Sequence, residues 1–374
     1  MGQIQCEEDQ IVEQLKKRAD VWFFPRLLEE MCGSLSSVQT KLTEKLTEYE
    51  ANGENSREQT ARKVRNWMKG KNQPSNREEI FRICFALNFD QEQSEQIFLA
   101  SEESGIHYRN PRELIYAFCL KKGYDYPKAR EIIKELGQEE TPCSALEYQD
   151  MIRRTRGRDS SDCMTVSIKD EFRQVETVEE LKSFIGRNRE AFGLHHNTAY
   201  HKFRLMLNYL LEGETAHDSY EDVPREKRYS IERVTEEYLR LGIPYQKKNG
   251  NYTKVQRMIK RHWPSPKMVQ EMYSRRRNVN RKTLLLLYLA TEGMGADAAE
   301  KSFVQEHCRR MNMMLSSCGM PLLDLRHPFD YLVIQSLYLE NDDDFMSWKM
   351  ERLLRKLFRK EYKPAYIAIK TTES

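Results

Sequence analysis

The chain has 374 residues, of which 39% are hydrophobic and 32% charged, with 16 glycines and 12 prolines. This length allows two or three domains, the composition excludes a disordered chain, and the scarcity of turn residues argues against a β-sandwich or barrel. The 61 basic and 58 acidic side chains nearly cancel to a formal net charge of +3. The distribution of charge is therefore more informative than its sum, and an all-α protein is expected.

The targeting signals that the chain lacks indicate its compartment. No basic start is followed by an apolar stretch, so no secretory signal is expected. Cys6 stands where a myristoylation signal has Ser or Thr. The most apolar run, residues 283–290, is far shorter than the roughly 20 residues that span a bilayer. The cysteines are scattered singly, and those at 84, 119 and 308 lie in apolar or amphipathic runs typical of reduced core thiols. We expect a cytoplasmic protein without a membrane partner.

Apolar residues recur at helical spacing through residues 1–137, which are predicted to form an amino-terminal domain. After an Asn-Gly turn signal, a helix is predicted to start near Thr60, capped by Thr60 or Ser56. The next helix is predicted within residues 76–89 and is opened by Ser75 or Asn76. The apolar positions that mark the first three helices are Ile11, Leu15, Leu27, Leu28, Met31, Val38, Leu42, Leu46 and Tyr49.

The remainder divides at polar stretches. Residues 138–165 mix both charges with Gly, Ser and Asp, as linkers do. Helices resume in a connector, residues 166–222, where Thr177 and Glu180 have the spacing of a capping box. Residues 223–374 are predicted to form a second helical domain.

Two segments of the first domain recur in the last. Residues 109–120 align with 326–337, each with Arg, a polar residue, Pro and an acid two positions later. Upstream, residues 75–88 align with 279–292. This pattern favours a diverged internal duplication, although short Arg-x-Pro matches also arise by chance.

Residues 60–77 contain six Arg or Lys and no acid. Within residues 63–89, the segment resembles the recognition half of a lambda-repressor-like (Xre-type) helix-turn-helix domain, and the resemblance covers about residues 24–105. A departure is the region 38–59, which is longer and more polar than the scanning helix and turn of that family. The positions that carry the resemblance are Trp67, Gly70, Lys71, Pro74, Ser75, Ala86 and Leu87.

The resemblance implies a helix whose amino-terminal turns enter the major groove of DNA. Val64, Trp67 and Met68 would then form its core edge. Outward-facing arginine suits guanine and asparagine suits adenine, and lysines at the helix end suit phosphates. The alternative is an ordinary solvated basic face. The predicted DNA-binding residues are Thr60, Arg62, Lys63, Arg65, Asn66, Lys69 and Lys71.

A second basic segment, residues 247–282, has twelve Arg or Lys and one acid, Glu271. It is predicted to form a helix, a Pro-Ser-Pro turn and a second helix, with Tyr252 and Trp263 interleaved. Lysine and arginine runs supply non-specific nucleic-acid affinity; alternatively, the segment docks an acidic partner or another part of the chain. The predicted surface comprises Lys254, Arg257, Lys260, Arg261, Lys267, Arg275, Arg276 and Arg277.

No catalytic motif or cofactor-binding motif is present. His195, His196 and His201 lack the i, i+4 spacing of a helical metal pair, so no metal site is predicted.

Two functions follow from these observations. The first is a non-enzymatic, sequence-specific regulator of transcription that binds double-stranded DNA. The second is a helical adapter that binds a protein partner, or structured RNA, through its basic surface. The sequence leaves the oligomeric state open, a homodimer included.

Overall fold

A computed structural model of the chain describes residues 2–21, 23–50, 57–74, 76–102, 105–138, 164–189, 192, 197–212, 229–245, 252–292, 301–338 and 346–358. Every regular element in these ranges is a helix, which confirms the all-α prediction. None of these helices combines the length and apolar character needed to cross a membrane.

Contacts divide the helices into two compact units. The first unit contains α2 to α10, together with Ser317–Met320, and ends at Thr198 within α11. Its helices are α2 (Phe24–Cys32), α3 (Leu35–Tyr49), α4 (Arg57–Met68), α5 (Arg77–Leu87), α6 (Gln91–Glu102), α7 (Pro111–Lys122), α8 (Tyr126–Glu135), α9 (Met164–Phe172) and α10 (Val178–Arg187).

The second unit contains α1, α11 from Ala199 onward, and α12 to α18. In α12 a short α-helical turn continues directly into a π-helical turn, Thr235–Leu239. The helices are α1 (Gly2–Val21), α11 (Asn197–Glu212), α12 (Ile231–Val234), α13 (Lys254–Lys260), α14 (Pro266–Tyr273), α15 (Arg281–Thr291), α16 (Lys301–Ser317), α17 (Pro328–Tyr338) and α18 (Met346–Leu357).

This division differs from the predicted boundaries. Helix α1, predicted to belong with residues 1–137, packs against α13, α17 and α18. There Ile11 and Leu15 are buried, and the Arg18 guanidinium lies 3.8 Å from the ring centroid of Tyr331. Helices α9 and α10, predicted to be part of a separate connector, share the core of the first unit. Most of the predicted linker, residues 139–163, lies outside the described residues.

Side-chain caps explain where several helices begin. The Asn76 side chain accepts a hydrogen bond from the Glu79 N–H at 2.9 Å, which starts α5 where the sequence predicted. Thr177 and Glu180 form the predicted capping box of α10. Pro111 occupies the first turn of α7, where its missing N–H costs no hydrogen bond.

A partly buried ion pair joins α5 to α7 in the first unit. The Arg77 guanidinium forks onto the Glu113 carboxylate through Nε–Oε1 and Nη2–Oε2 contacts of 2.7 Å each. Arg77 also donates to the Gly105 carbonyl at 2.8 Å. The second carboxylate oxygen accepts the backbone N–H of His107 at 2.8 Å. Both charges are therefore hydrogen-bonded on several sides, as buried charges must be.

The second unit contains an ion pair of the same pattern between α15 and α17. Arg281 donates to both oxygens of Asp330, at 2.5 and 2.7 Å. It also donates to the carbonyls of Pro321 and Leu322, at 2.8 and 3.1 Å. Asp330 accepts the backbone N–H of Asp324 at 2.8 Å. The arginine again fixes a helix start, a loop and a second helix relative to one another.

The two networks occupy matching positions in the aligned segments. Arg77 and Arg281 each follow a capping asparagine as the first residue of their helix. Glu113 and Asp330 each stand two residues after the proline that opens theirs. Their arginine–acid separations are 36 and 49 residues. The helix-opening arginines, Arg77 and Arg281, are therefore part of the repeated pattern, together with the proline and acid noted in the sequence.

Truncating either arginine is expected to destabilise its own unit. Removing one partner of a buried pair typically costs about 3–5 kcal/mol. The loss of stability is expected to be larger for Arg281→Ala than for Arg77→Ala. The side chains of Arg281 and Asp330 are 4% and 2% exposed, whereas those of Arg77 and Glu113 are 21% and 9% exposed. Hydrogen exchange of the full-length variants, analysed separately for peptides of each unit, measures both losses. Equal, small effects would contradict this interpretation of the pairs.

The Asp330 pair is also expected to make stability depend on pH. Burial alone raises the pKa of Asp330, but Arg281 and His327 outweigh it and hold that pKa below the ordinary value. The stabilisation is then complete above the unfolded-state pKa of about 4 and is lost as pH falls through the lower folded-state pKa. The difference in unfolding free energy between wild type and Asp330→Asn should be constant from about pH 7 to 5 and shrink below about pH 4. Urea denaturation at each pH measures it, and a difference that grows with acid would contradict the assignment.

Candidate nucleic-acid interface

Helix α4 packs one face on the first unit and turns the other outward. It lies against α3 and α2, and Val64, Trp67 and Met68 are buried as predicted. These positions recur at helical spacing, so the residues opposite them must face solvent.

The outward face of α4 is basic. Arg62, Arg65 and Lys69 follow one another at i, i+3 and i+7, and all three are exposed. Lys71, just beyond the helix, is exposed as well. Glu58, an exposed acid, lies on the same stripe in the first turn. The positive charge is therefore concentrated in the carboxy-terminal two-thirds of the face.

Two of the predicted DNA-binding residues, Thr60 and Lys63, make contacts with other side chains of the first unit. Helix α4 begins at Arg57, three residues earlier than predicted, so Thr60 lies inside the helix rather than at its cap. Thr60 is 2% exposed and donates to Glu50 at 3.2 Å, which removes it from the outward face. Lys63 pairs with Glu79 at the start of α5 and lies over the Trp67 ring. Asn66 is half-buried at the edge of the basic face.

A tight turn ends α4 and fixes its orientation. Gly70 has φ of 61°, and its N–H bonds the carbonyl of Trp67 at 2.8 Å. The Lys71 N–H bonds the carbonyl of Asn66 at 2.9 Å, which completes a Schellman motif. A β-carbon on Gly70 would lie 1.8 Å from the ring of Phe23. Glycine is thus required here by backbone conformation and by the aromatic ring against it.

The first helix of the second basic segment, α13, uses several of its cations inside the unit. Lys254 pairs with Asp20 of α1 at 2.9 Å. The Lys260 ammonium donates to the Tyr245 carbonyl, and burial lowers the pKa of Lys260. Arg261 is half-buried, and its Nε lies 3.2 Å from a ring nitrogen of His262. Only Arg257 of these predicted residues is exposed.

The second helix, α14, presents more of its cations to solvent. Lys267, Arg276 and Arg277 are exposed, although Arg277 also pairs with Glu271 at 2.7 Å. Arg275 is half-buried, with its guanidinium 3.8 Å from the ring centroid of Tyr200. The second basic segment is therefore not one continuous surface, and its exposed charge lies mainly on and after α14.

Lys282, at the end of the same segment, is 1% exposed. Its ammonium donates to the carbonyls of Ile259 and Arg261, at 2.8 and 2.6 Å, and so satisfies the end of α13. Trp263, expected to be interleaved with the basic residues, is buried and donates to the Leu239 carbonyl at 3.0 Å. The sequence could not distinguish such internal roles from surface charge, because the partners lie far away along the chain.

Metal chemistry has little support in the described ranges. No three His, Cys, Asp or Glu side chains lie together there in a way that could hold an ion. His201 lies on α11, whereas His195, His196 and the acidic stretch 340–344 fall outside the described residues.

Comparison with protein-family models, with curated proteins and with solved structures finds no match for the chain.

The turn after α4 gives a direct stability test. In the Gly70→Ala variant, alanine must adopt a left-handed backbone conformation, and its β-carbon must displace the Phe23 ring. Gly123→Ala is a matched control, because Gly123 has φ of 68° and a β-carbon added there would meet nothing within 4 Å. The control should cost about 1–2 kcal/mol from backbone conformation, and Gly70→Ala about 1–3 kcal/mol more from repacking. Chemical denaturation measures both, and equal losses would show that the ring imposes no constraint.

Proposed function

We propose that the chain is a non-enzymatic DNA-binding regulator that contacts duplex DNA through the outward face of α4. The observation that carries this proposal is the arrangement of Arg62, Arg65 and Lys69 on the side of α4 opposite its buried residues. The resemblance of residues 63–89 to a lambda-repressor-like recognition region supports the same helix. The helical order from α2 to α6, over residues 24–102, is compatible with it.

The chemistry of this face suits both parts of DNA recognition. Arginine can pair bidentately with guanine, and asparagine with adenine, so Arg62, Arg65 and Asn66 are the candidates for base contacts. Lys69 and Lys71 stand at the helix end and turn, where phosphate contacts set the position of a recognition helix. Four cations on this face, Arg62, Arg65, Lys69 and Lys71, give an upper contribution of about −3.6 to the log–log salt slope of binding.

We further propose that the two units contain diverged copies of one helical module. Support comes from the matching positions of the Arg77–Glu113 and Arg281–Asp330 pairs. Packing supports it too: α3 packs against α4 and α5 in the first unit, and α12 with its π turn packs against α14 and α15 in the second.

The function is tested by selecting binding sites from random duplex DNA with the full-length chain. Wild type is expected to enrich a sequence motif. Arg62→Ala combined with Arg65→Ala should weaken binding to that motif by about 30-fold or more, since each lost base contact costs at least about 1 kcal/mol. Neither side chain is buried, so the thermal unfolding midpoint should be unchanged.

Lys45→Ala combined with Lys128→Ala is the matched control. It also removes two cations from the first unit, but from α3 and α8, where each pairs with a nearby glutamate. The control should retain the motif and most of the affinity. If both double variants bind like wild type, or if wild type enriches no motif, the DNA-binding proposal is wrong and the protein-adapter function takes its place.

A further inference from the structure

The end of α14 has the same turn as the end of α4. The Arg275 N–H bonds the Met272 carbonyl at 3.0 Å, and the Arg276 N–H bonds the Glu271 carbonyl at 2.8 Å. This is the Schellman pattern seen at Gly70. Arg275 has φ of 56°, an uncommon value for a residue other than glycine. Its guanidinium lies over the Tyr200 ring, and the Tyr200 hydroxyl donates to the Tyr273 carbonyl just before the turn at 3.2 Å.

The turn provides a register for comparing the two helices. Three residues before it stand Trp67 in α4 and Met272 in α14, both buried. Six residues before it stand Val64 and Val269, both fully buried. Downstream, each chain segment reaches a capping asparagine and then the ion-paired arginine of the next helix. The inward faces of α4 and α14 are therefore equivalent in position.

The outward faces must then be equivalent as well. In this register, Lys267 occupies the position of Arg62, and Gln270 that of Arg65. Both are exposed. A long polar side chain thus stands at the positions of both arginines proposed to contact bases. The position of the third candidate, Asn66, is taken by Glu271, which pairs with Arg277.

The residues after the turn extend this comparison. Arg276 occupies the position of Lys71, and Arg277 that of Asn72, and both arginines are exposed. The second unit therefore carries one more cation just beyond its helix than the first unit does at the same place. This is the position from which the first unit would contact phosphates.

We propose that the second unit carries a second duplex-DNA-contacting surface, formed by Lys267, Gln270, Arg276 and Arg277 on and after α14. This inference rests on the proposed function of α4. It assigns contact to α14 rather than to α13, whose Lys254 and Lys260 have partners within the unit. Lysine and arginine here neutralise phosphates, and Gln270 can pair bidentately with adenine.

The test compares two double variants of the full-length chain with equal loss of charge from the same basic segment. Lys267→Ala with Arg276→Ala removes two cations of the α14 surface. Lys254→Ala with Arg257→Ala removes two cations of α13 and is the control. Binding to the duplex selected by wild type is followed by fluorescence anisotropy over a salt series.

The α14 variant is expected to bind on the order of tenfold more weakly and to reduce the magnitude of the log–log salt slope by about 2. The α13 control should change the slope by less than half as much. Both pairs are also made in the Arg62→Ala, Arg65→Ala background. There the α14 pair should remove the residual binding that the α13 pair leaves, and Gln270→Ala should reduce adenine preference at selected positions.

The outcomes separate the two proposals. If the Arg62, Arg65 variant weakens binding but the α14 pair acts no differently from the α13 pair, the second surface is refuted and the α4 function stands. If wild type binds no duplex DNA, both proposals fail. An RNA duplex of equal length that competes as well as DNA, with loss of that competition in the α14 variant, would assign the α14 surface to RNA and overturn the DNA assignment.

Discussion

The first unit depends on the ion pair made by the partly buried arginine at the first position of α5. Arg77 holds the Glu113 carboxylate of α7 and the Gly105 carbonyl at once. An arginine so placed cannot lose its partner without leaving a charge in a poorly solvated site. The start of α5 is thereby fixed, and the turn that leads from α4 to α5 has a defined end. Arg281 imposes the same constraint ahead of α15.

The basic face of α4 derives its orientation from the two ends of that turn. At one end Gly70 lies against Phe23 with no room for a side chain; at the other, Asn76 caps α5. For the proposed role of α4, such a support means that the helix needs no ordering of its own before it contacts a ligand, which reduces the entropic cost of binding. The outward arginines are exposed, and the helix that carries them is buried along its opposite face.

Helix content and several helix starts could be predicted from the sequence, because apolar spacing and capping residues are local signals. The capping box at Thr177 and the cap at Asn76 are examples. Thr60 is not the cap of α4, because a threonine before a basic run is as compatible with a buried helical position as with a cap. The observed start at Arg57 agrees with the alternative cap, Ser56, which lies outside the described residues. The ion pair between Lys254 and Asp20, which are 234 residues apart, has no local signal in the sequence. For that reason the second basic segment could be identified but not divided into surface and internal charges.

The π turn in α12 bears on the proposed relation between the units. In α3, buried Val38 and Leu42 are four residues apart, and in α12, buried Val234 and Leu239 are five apart. A π turn accommodates one extra residue while keeping both side chains on the same face, so an insertion here leaves the contact with α14 and α15 intact. The longer arginine–acid separation in the second unit, 49 residues against 36, likewise lies downstream of α14. Neither difference alters the turn after α14 or the inward face of that helix. The register from which the outward residues of α14 are assigned is therefore unchanged.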